Sequence, residues 1–184
     1  MKLRTPALVL ILTTAVQASV KLDVFVENSG SVPLQVLAPA ETFAARILAT
    51  ADVSIAWHTS ASSARKAPNR VIVLHFQGSA PATSTEGALG YSLLHQDHAT
   101  IFYGQIRRVA SDNQQAYVLA HAMAHEIVHL LQGVPRHSTT GVMKAHWDGR
   151  DIFEMRHLFV LTPEDIRLIR HMSEPSSLSG SVMY

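Results

Sequence analysis

The sequence predicts an α+β fold, a single domain in which strands and helices segregate along the chain. Three observations lead there. Short runs that alternate with period two, or are continuously β-branched, fall in the first part of the chain. Two stretches with helical start signals, at Asp112 and at Thr162, follow in the later part of the chain. The length, 184 residues, suits one core, or one core with a processed leader.

The leader comes first. Met1, Lys2, Leu3 and Arg4 make a short basic start, and Ala7 to Val16 is an apolar run broken only by two threonines. Small residues follow at Val16 and Ala18, the pattern of a secretory signal peptide cut near Ala18. The expected division is therefore 1–18 as signal peptide and 19–184 as the domain, secreted or periplasmic. The apolar run falls short of the roughly 20 residues that a membrane helix needs. Cleavage would remove Lys2 and Arg4 with no acid, moving the formal charge from +1 to −1. Nothing in that balance attracts nucleic acid or an anionic membrane. The oligomeric state is not written in the sequence.

The elements then follow in order. Lys21 to Glu27 alternates, with Leu22, Val24 and Val26 on one side, and reads as a strand that Asn28, Ser29, Gly30 and Ser31 end. Residues 35 to 50 form an amphipathic helix, its apolar positions Val36, Leu37, Ala40, Phe43, Ala44, Ile47 and Leu48 recurring at three and four. Val53 to Thr59 is a second strand, and Ser60 to Asn69 a polar linker. Val71 to Phe76 is rich in β-branched residues and predicts a central strand. Gly78 to Gly87 is a loop of Ser, Thr, Pro and Gly. Ala88 to Leu94 and Thr100 to Ile106 are two more expected strands. Asp112 is the expected N-cap of a long helix that runs to about Gln132, where Gly133 and Pro135 stop it. Thr162, Pro163, Glu164 and Asp165 open a last helix: a capping hydroxyl, proline in the first turn, acids at the positive end.

The chemistry lies in the long helix, at His125, Glu126 and His129. Residues four apart share a helix face, with Cβ atoms about 6 Å apart, so the two imidazoles can meet one zinc ion. Glu126 stands one residue round from His125. It can reach a water that the metal activates without becoming a ligand, as a general base must. The residues around them, Ala122, Met123, Ala124, Ile127, Val128, Leu130 and Leu131, predict a buried helix. A lone buried carboxylate costs several kcal/mol, which a cation beside it offsets. A catalytic zinc takes three protein ligands, so a third is expected downstream. His137 follows the turn at Gly133, and Glu154 is the alternative.

With His125, Glu126, His129, Gly133, His137 and Gly141-Val142-Met143 in place, the sequence resembles the metzincin clan of zinc peptidases, its matrixin-like members in particular. Their motif is His-Glu-x-x-His-x-x-Gly-x-x-His, followed by a methionine-containing turn. The resemblance implies a twisted mixed sheet with an active-site helix and a C-terminal helix. It also implies His125, His129 and His137 as ligands of one zinc, Glu126 as general base and Met143 as the turn methionine. Ser138 matches a common His-Ser pair, and Leu161 to Ile166 resembles the start of the matrixin C-terminal helix. The implied activity is hydrolysis of peptide or protein substrates, an extended peptide pairing with an edge strand such as Ala88 to Leu94. Here one extra residue lies on each side of Gly133. The first turns the helix exit by about 100°, and the second must turn it back.

Other readings are weaker. His121 shares a face with His125 but stands about 12 Å along the axis from His129, so it is expected to pack rather than to bind metal. His95 and His98 fall in a polar loop, and His146 could steady an oxyanion or give up a proton. His58, His75, His157 and His171 are expected to be structural. Cysteine is absent, which excludes disulfides, thiol nucleophiles and thiolate metal sites. No phosphate-binding glycine loop and no serine elbow occurs. Two further classes stay open: a gluzincin-type peptidase using Glu154, and a zinc- or protein-binding module without turnover.

Overall fold

The alternation in the first strand expresses itself as a two-faced sheet. The computed structural model describes residues 19–29, 31–59, 67–85 and 87–173. The expected signal segment 1–18, Gly30 and most of the expected linker, residues 60–66, lie outside them. Strand β1 (Val20–Glu27) leads into helix α1 (Leu34–Ala49), then strands β2 (Val53–His58), β3 (Arg70–Gln77), β4 (Gly90–Leu93) and β5 (His98–Phe102). Helices α2 (Tyr103–Val109), α3 (Gln115–Gln132), α4 (Gly149–Glu154) and α5 (Pro163–Ser173) follow.

The five strands form one mixed sheet in the order β2-β1-β3-β5-β4. The first four in that order are parallel neighbours, and β4 closes one edge antiparallel to β5. Leu22, Val24 and Val26 of β1 share a face with Ile72, Leu74 and Phe76 of β3 and with Ala99 and Ile101 of β5. This face meets Leu37, Ala44 and Ile47 of α1 and Leu119, Met123 and Ile127 of α3 in one core. The opposite face is bound by polar links: Asp23 accepts from His58 at 2.7 Å and from the Asn69 side chain at 2.9 Å, and His75 meets Glu27 at 2.9 Å. His58 and His75 are thus structural, as expected. Among the described residues no helix is long and apolar enough to cross a membrane.

Three local expectations are corrected. The strand expected over Thr100 to Ile106 stops at Phe102, and Tyr103–Val109 is helical. Gly104 passes so close to the Gly78 carbonyl that a Cβ would stand 1.7 Å from its oxygen, so no side chain fits there. Asp112 does not cap α3. The cap is Gln114, without a side-chain bond, while Asp112 accepts from the Gln115 side chain at 2.7 Å. Helix α4 was not anticipated, although Asp148 and Asp151 form a reciprocal capping box at its start.

Candidate metal centre

Every residue of α3 from Val118 to Gln132 is buried, so the histidines and Glu126 sit on a helix with no solvated face. His125 and His129 lie one turn apart, and their Nε2 atoms are 3.0 Å from each other. Gly133 then adopts the left-handed conformation, φ 65°, and its N–H closes the helix on the His129 carbonyl. A side chain there would be strained. This reversal absorbs the extra helical residue. It brings the Val134 carbonyl onto His129 Nδ1 at 3.2 Å and His137 Nε2 to 3.3 Å from His129 Nε2. Two ligands on one tetrahedral ion at about 2.0–2.1 Å stand roughly 3.3 Å apart. His129 stands at close to that spacing from both His125 and His137, and the three ligand atoms all lie within 4.8 Å of one another.

The outward nitrogens fix the tautomers. His125 Nδ1 faces the Val142 carbonyl at 2.8 Å, and a carbonyl can only accept. Nδ1 therefore carries the proton, and Nε2 keeps its lone pair for the shared point; the same holds for His129. Burial and the neighbouring His129 push His125 down to about 3, and burial lowers His129 and His137 as well. Neutral imidazoles are what a cation needs. Among the described residues, His125, His129 and His137 are the group of histidines and acids able to hold a metal ion. The donor set fits zinc, whose usual catalytic partners are three such side chains.

Glu126 is buried against the edge strand. Directly opposed residues of β4 and β5 share a face, so Gly90 and Ser92, opposite Ile101 and Ala99, point towards α3. Both are small for a reason visible in the contacts. Ser92 Oγ is 2.5 Å from Glu126 Oε2, and a Cβ at Gly90 would stand 3.1 Å from Oε1 and 2.7 Å from the Thr100 carbonyl. Burial pushes the Glu126 carboxyl up to about 7, with the Ser92 hydroxyl pulling the other way. Glu126, His125, His129 and His137 all line one cleft, together with Leu89, Tyr91, His146 and Trp147.

The turn beneath is anchored from afar. Met143 is fully buried, its carbonyl accepts from Ser138 N at 2.7 Å, and the Val142 N–H reaches the Val160 carbonyl. Asp165, the third residue of α5, has a fully buried side chain. It accepts from Thr162 Oγ1 at 2.6 Å, Thr162 N at 3.0 Å, Ser138 Oγ at 2.8 Å and Arg136 at 2.7 Å. One carboxylate thus ties the helix start to both neighbours of His137. Burial raises its pKa, but the bonds from Thr162, Ser138 and Arg136 outweigh that and hold it below the usual aspartate range. Asp165→Ala is expected to cost roughly 1–3 kcal/mol, the scale of leaving the partners of a buried acceptor unmet, read from urea unfolding. The sign of its pH dependence follows. The unfolded carboxyl titrates near ~3.9, so the contribution is complete above that and fades as pH falls towards the lower folded value. Asp165→Asn should remove this acid-side loss, and an unchanged pH profile would refute the assignment.

The remaining histidines divide cleanly. His121 donates from Nδ1 to the Tyr117 carbonyl at 2.7 Å and accepts at Nε2 from Phe159 N at 3.2 Å, so both nitrogens are used. Burial lowers it to about 4, and it serves packing, not the metal group. His98 turns Nδ1 to the Gln96 carbonyl and stacks on His75. Glu154 pairs with Arg150 at 2.9 Å on exposed α4. His146 is exposed on the cleft rim, close enough to His137 for its charge to be felt. Sequence reasoning missed Ser92 and the reach of Asp165. Thr162-x-x-Asp165 has the spacing of a capping box, which signals the local bond but not the distant ones. A lone serine in a four-residue strand carries no signal.

No protein-family model and no curated protein matches this sequence. The fold is similar to that of the archaemetzincin from Methanopyrus kandleri, with a TM-score of 0.55 and 13% identity, covering 84% of this chain and 95% of that one. It is similar too to a zinc-dependent peptidase from Methanocorpusculum labreanum, with a TM-score of 0.60 and 11% identity, over 80% of this chain and 99% of that one. At such identities the likeness establishes the shared fold.

Proposed function

We propose that this chain is a zinc-dependent endopeptidase, exported by its leader, that works in the metzincin manner. The observation that carries the reading is the convergence of three neutral imidazole nitrogens, 3.0 and 3.3 Å apart along the series, beside a buried carboxylate in an open cleft. His125, His129 and His137 would hold the ion. Zinc in that position supplies a Lewis acid that polarises a carbonyl and lowers the pKa of water. Glu126 takes the proton from the attacking water and delivers it to the departing amine. Burial strengthens the hold of its carboxylate on a proton, and a divalent cation nearby would offset that and keep it ionised to start the reaction.

Substrate placement follows from the sheet. Among the described residues strand β4 pairs on one side only, with β5. Its other edge offers backbone groups to an extended peptide running along the cleft. The matrixin-like order of histidine, glycine, histidine and methionine turn supports the same reading. The gluzincin alternative is weakened by the Arg150–Glu154 pair. The test is a peptide-library digest by zinc-loaded protein, by chelator-treated protein, and after zinc is restored. Internal cleavage that vanishes with the metal and returns with it is expected. A zinc-loaded chain that cuts no peptide sinks the proposal and leaves a binding module.

A further inference from the structure

We propose that Ser92 is a positioning residue that holds one oxygen of Glu126 and thereby assigns the proton transfer to the other. This deepens the peptidase reading and rests on it. Ser92 Oγ lies 2.5 Å from Glu126 Oε2 and 3.0 Å from the carbonyl oxygen of the same residue. Both partners can only accept while the carboxylate is ionised, so the hydroxyl donates, and the shorter contact is to the charged oxygen. Oε1 has no hydrogen-bond partner among the described residues, and it lies over Gly90, where a Cβ would approach within 3.1 Å. The two oxygens are therefore unequal. Oε2 is tethered to the sheet, and Oε1 is left with its lone pairs free to take a proton.

The tether survives the reaction. When Oε1 is protonated, Oε2 is still an acceptor, and Ser92 keeps its bond without turning. When the proton leaves for the amine, the starting arrangement is restored with no change at Ser92. A glutamate has three side-chain torsions, and an untethered one would spread its carboxylate over several rotamers. General-base catalysis needs the oxygen within hydrogen-bond reach of the proton that it abstracts, so a lost tether lowers the fraction of productive complexes. The site's arrangement also couples base and substrate. Strand β4 presents Ser92 to Glu126 on its helix-facing side, while its free edge is where the peptide pairs.

Three variants test this: Ser92→Ala, which removes one oxygen; Ser92→Thr, which keeps the hydroxyl; and Glu126→Ala. Ser92→Ala should lower kcat by roughly 10- to 100-fold, the range for losing a group that orients a site residue. KM and zinc affinity against a competing chelator should be unchanged, and Ser92→Thr should recover most of the loss. A second measurement does not use activity. In urea unfolding of the metal-free protein, Ser92→Ala should shift the midpoint less in the Glu126→Ala background than in wild type, because the two groups are coupled. A Ser92→Ala enzyme with wild-type kcat, an effect confined to KM, or additive urea shifts would each overturn the assignment. Wild-type protein that cuts no peptide but shows the coupling would instead place the failure in the peptidase reading.

Discussion

Glu126→Gln should keep its zinc and lose at least ~100-fold in peptide hydrolysis, the scale of general-base catalysis. The amide has the same shape and can still accept from Ser92, so neither the helix nor the histidines need move. What it lacks is a basic oxygen. The same change should stabilise the metal-free protein near neutral pH. Burial raises the folded carboxyl to about 7, above its unfolded value. Between those two values the folded state binds more protons than the unfolded one, so stability falls as pH rises through that interval. Glutamine removes the penalty. Activity lost with stability gained is the signature of a group kept for chemistry. Equal turnover by wild type and Glu126→Gln across a peptide library would discard the catalytic role.

His137→Ala is expected to weaken zinc binding by more than ~100-fold in competition with a chelator, beyond the range of residues that merely support a ligand. His137 Nε2 is 3.3 Å from His129 Nε2, and nothing else among the described residues completes the group. Glu154→Ala should leave the affinity unchanged. Its carboxylate is paired with Arg150 on an exposed helix, where water screens such a pair and leaves it little strength. The two variants together discriminate. Loss of affinity on Glu154→Ala, with His137→Ala unaffected, would replace the metzincin ligand set by a gluzincin one.

Much of this site was legible before any coordinates, because its central part is local. Helix geometry alone places His125 and His129 on one face, and the apolar residues among them announce burial. The stop at Gly133 and the cap at Thr162 are also local events, written within four residues of where they act. The helix–strand order was readable for the same reason. The errors were of two kinds: Tyr103 to Ile106 is helical where Gly104 crosses Gly78 at close range, while the start of α4 and the cap of α3 turn on local side-chain bonds at Asp148 and Asp112.

Which groups meet is set by long-range packing. The strand order that puts β4 on the edge, the tether from Ser92 to Glu126 across 34 residues, and the grip of Asp165 on Ser138 across 27 are pairings of remote segments. The same applies to His137, whose direction depended on how far Gly133 reverses the chain and not on its spacing from His129. The helix, the two histidines and the glutamate follow from local sequence, because their neighbours lie within one turn. The third imidazole, the edge strand and the tethered base were decided by the fold, because burying the common core is what brings those segments together.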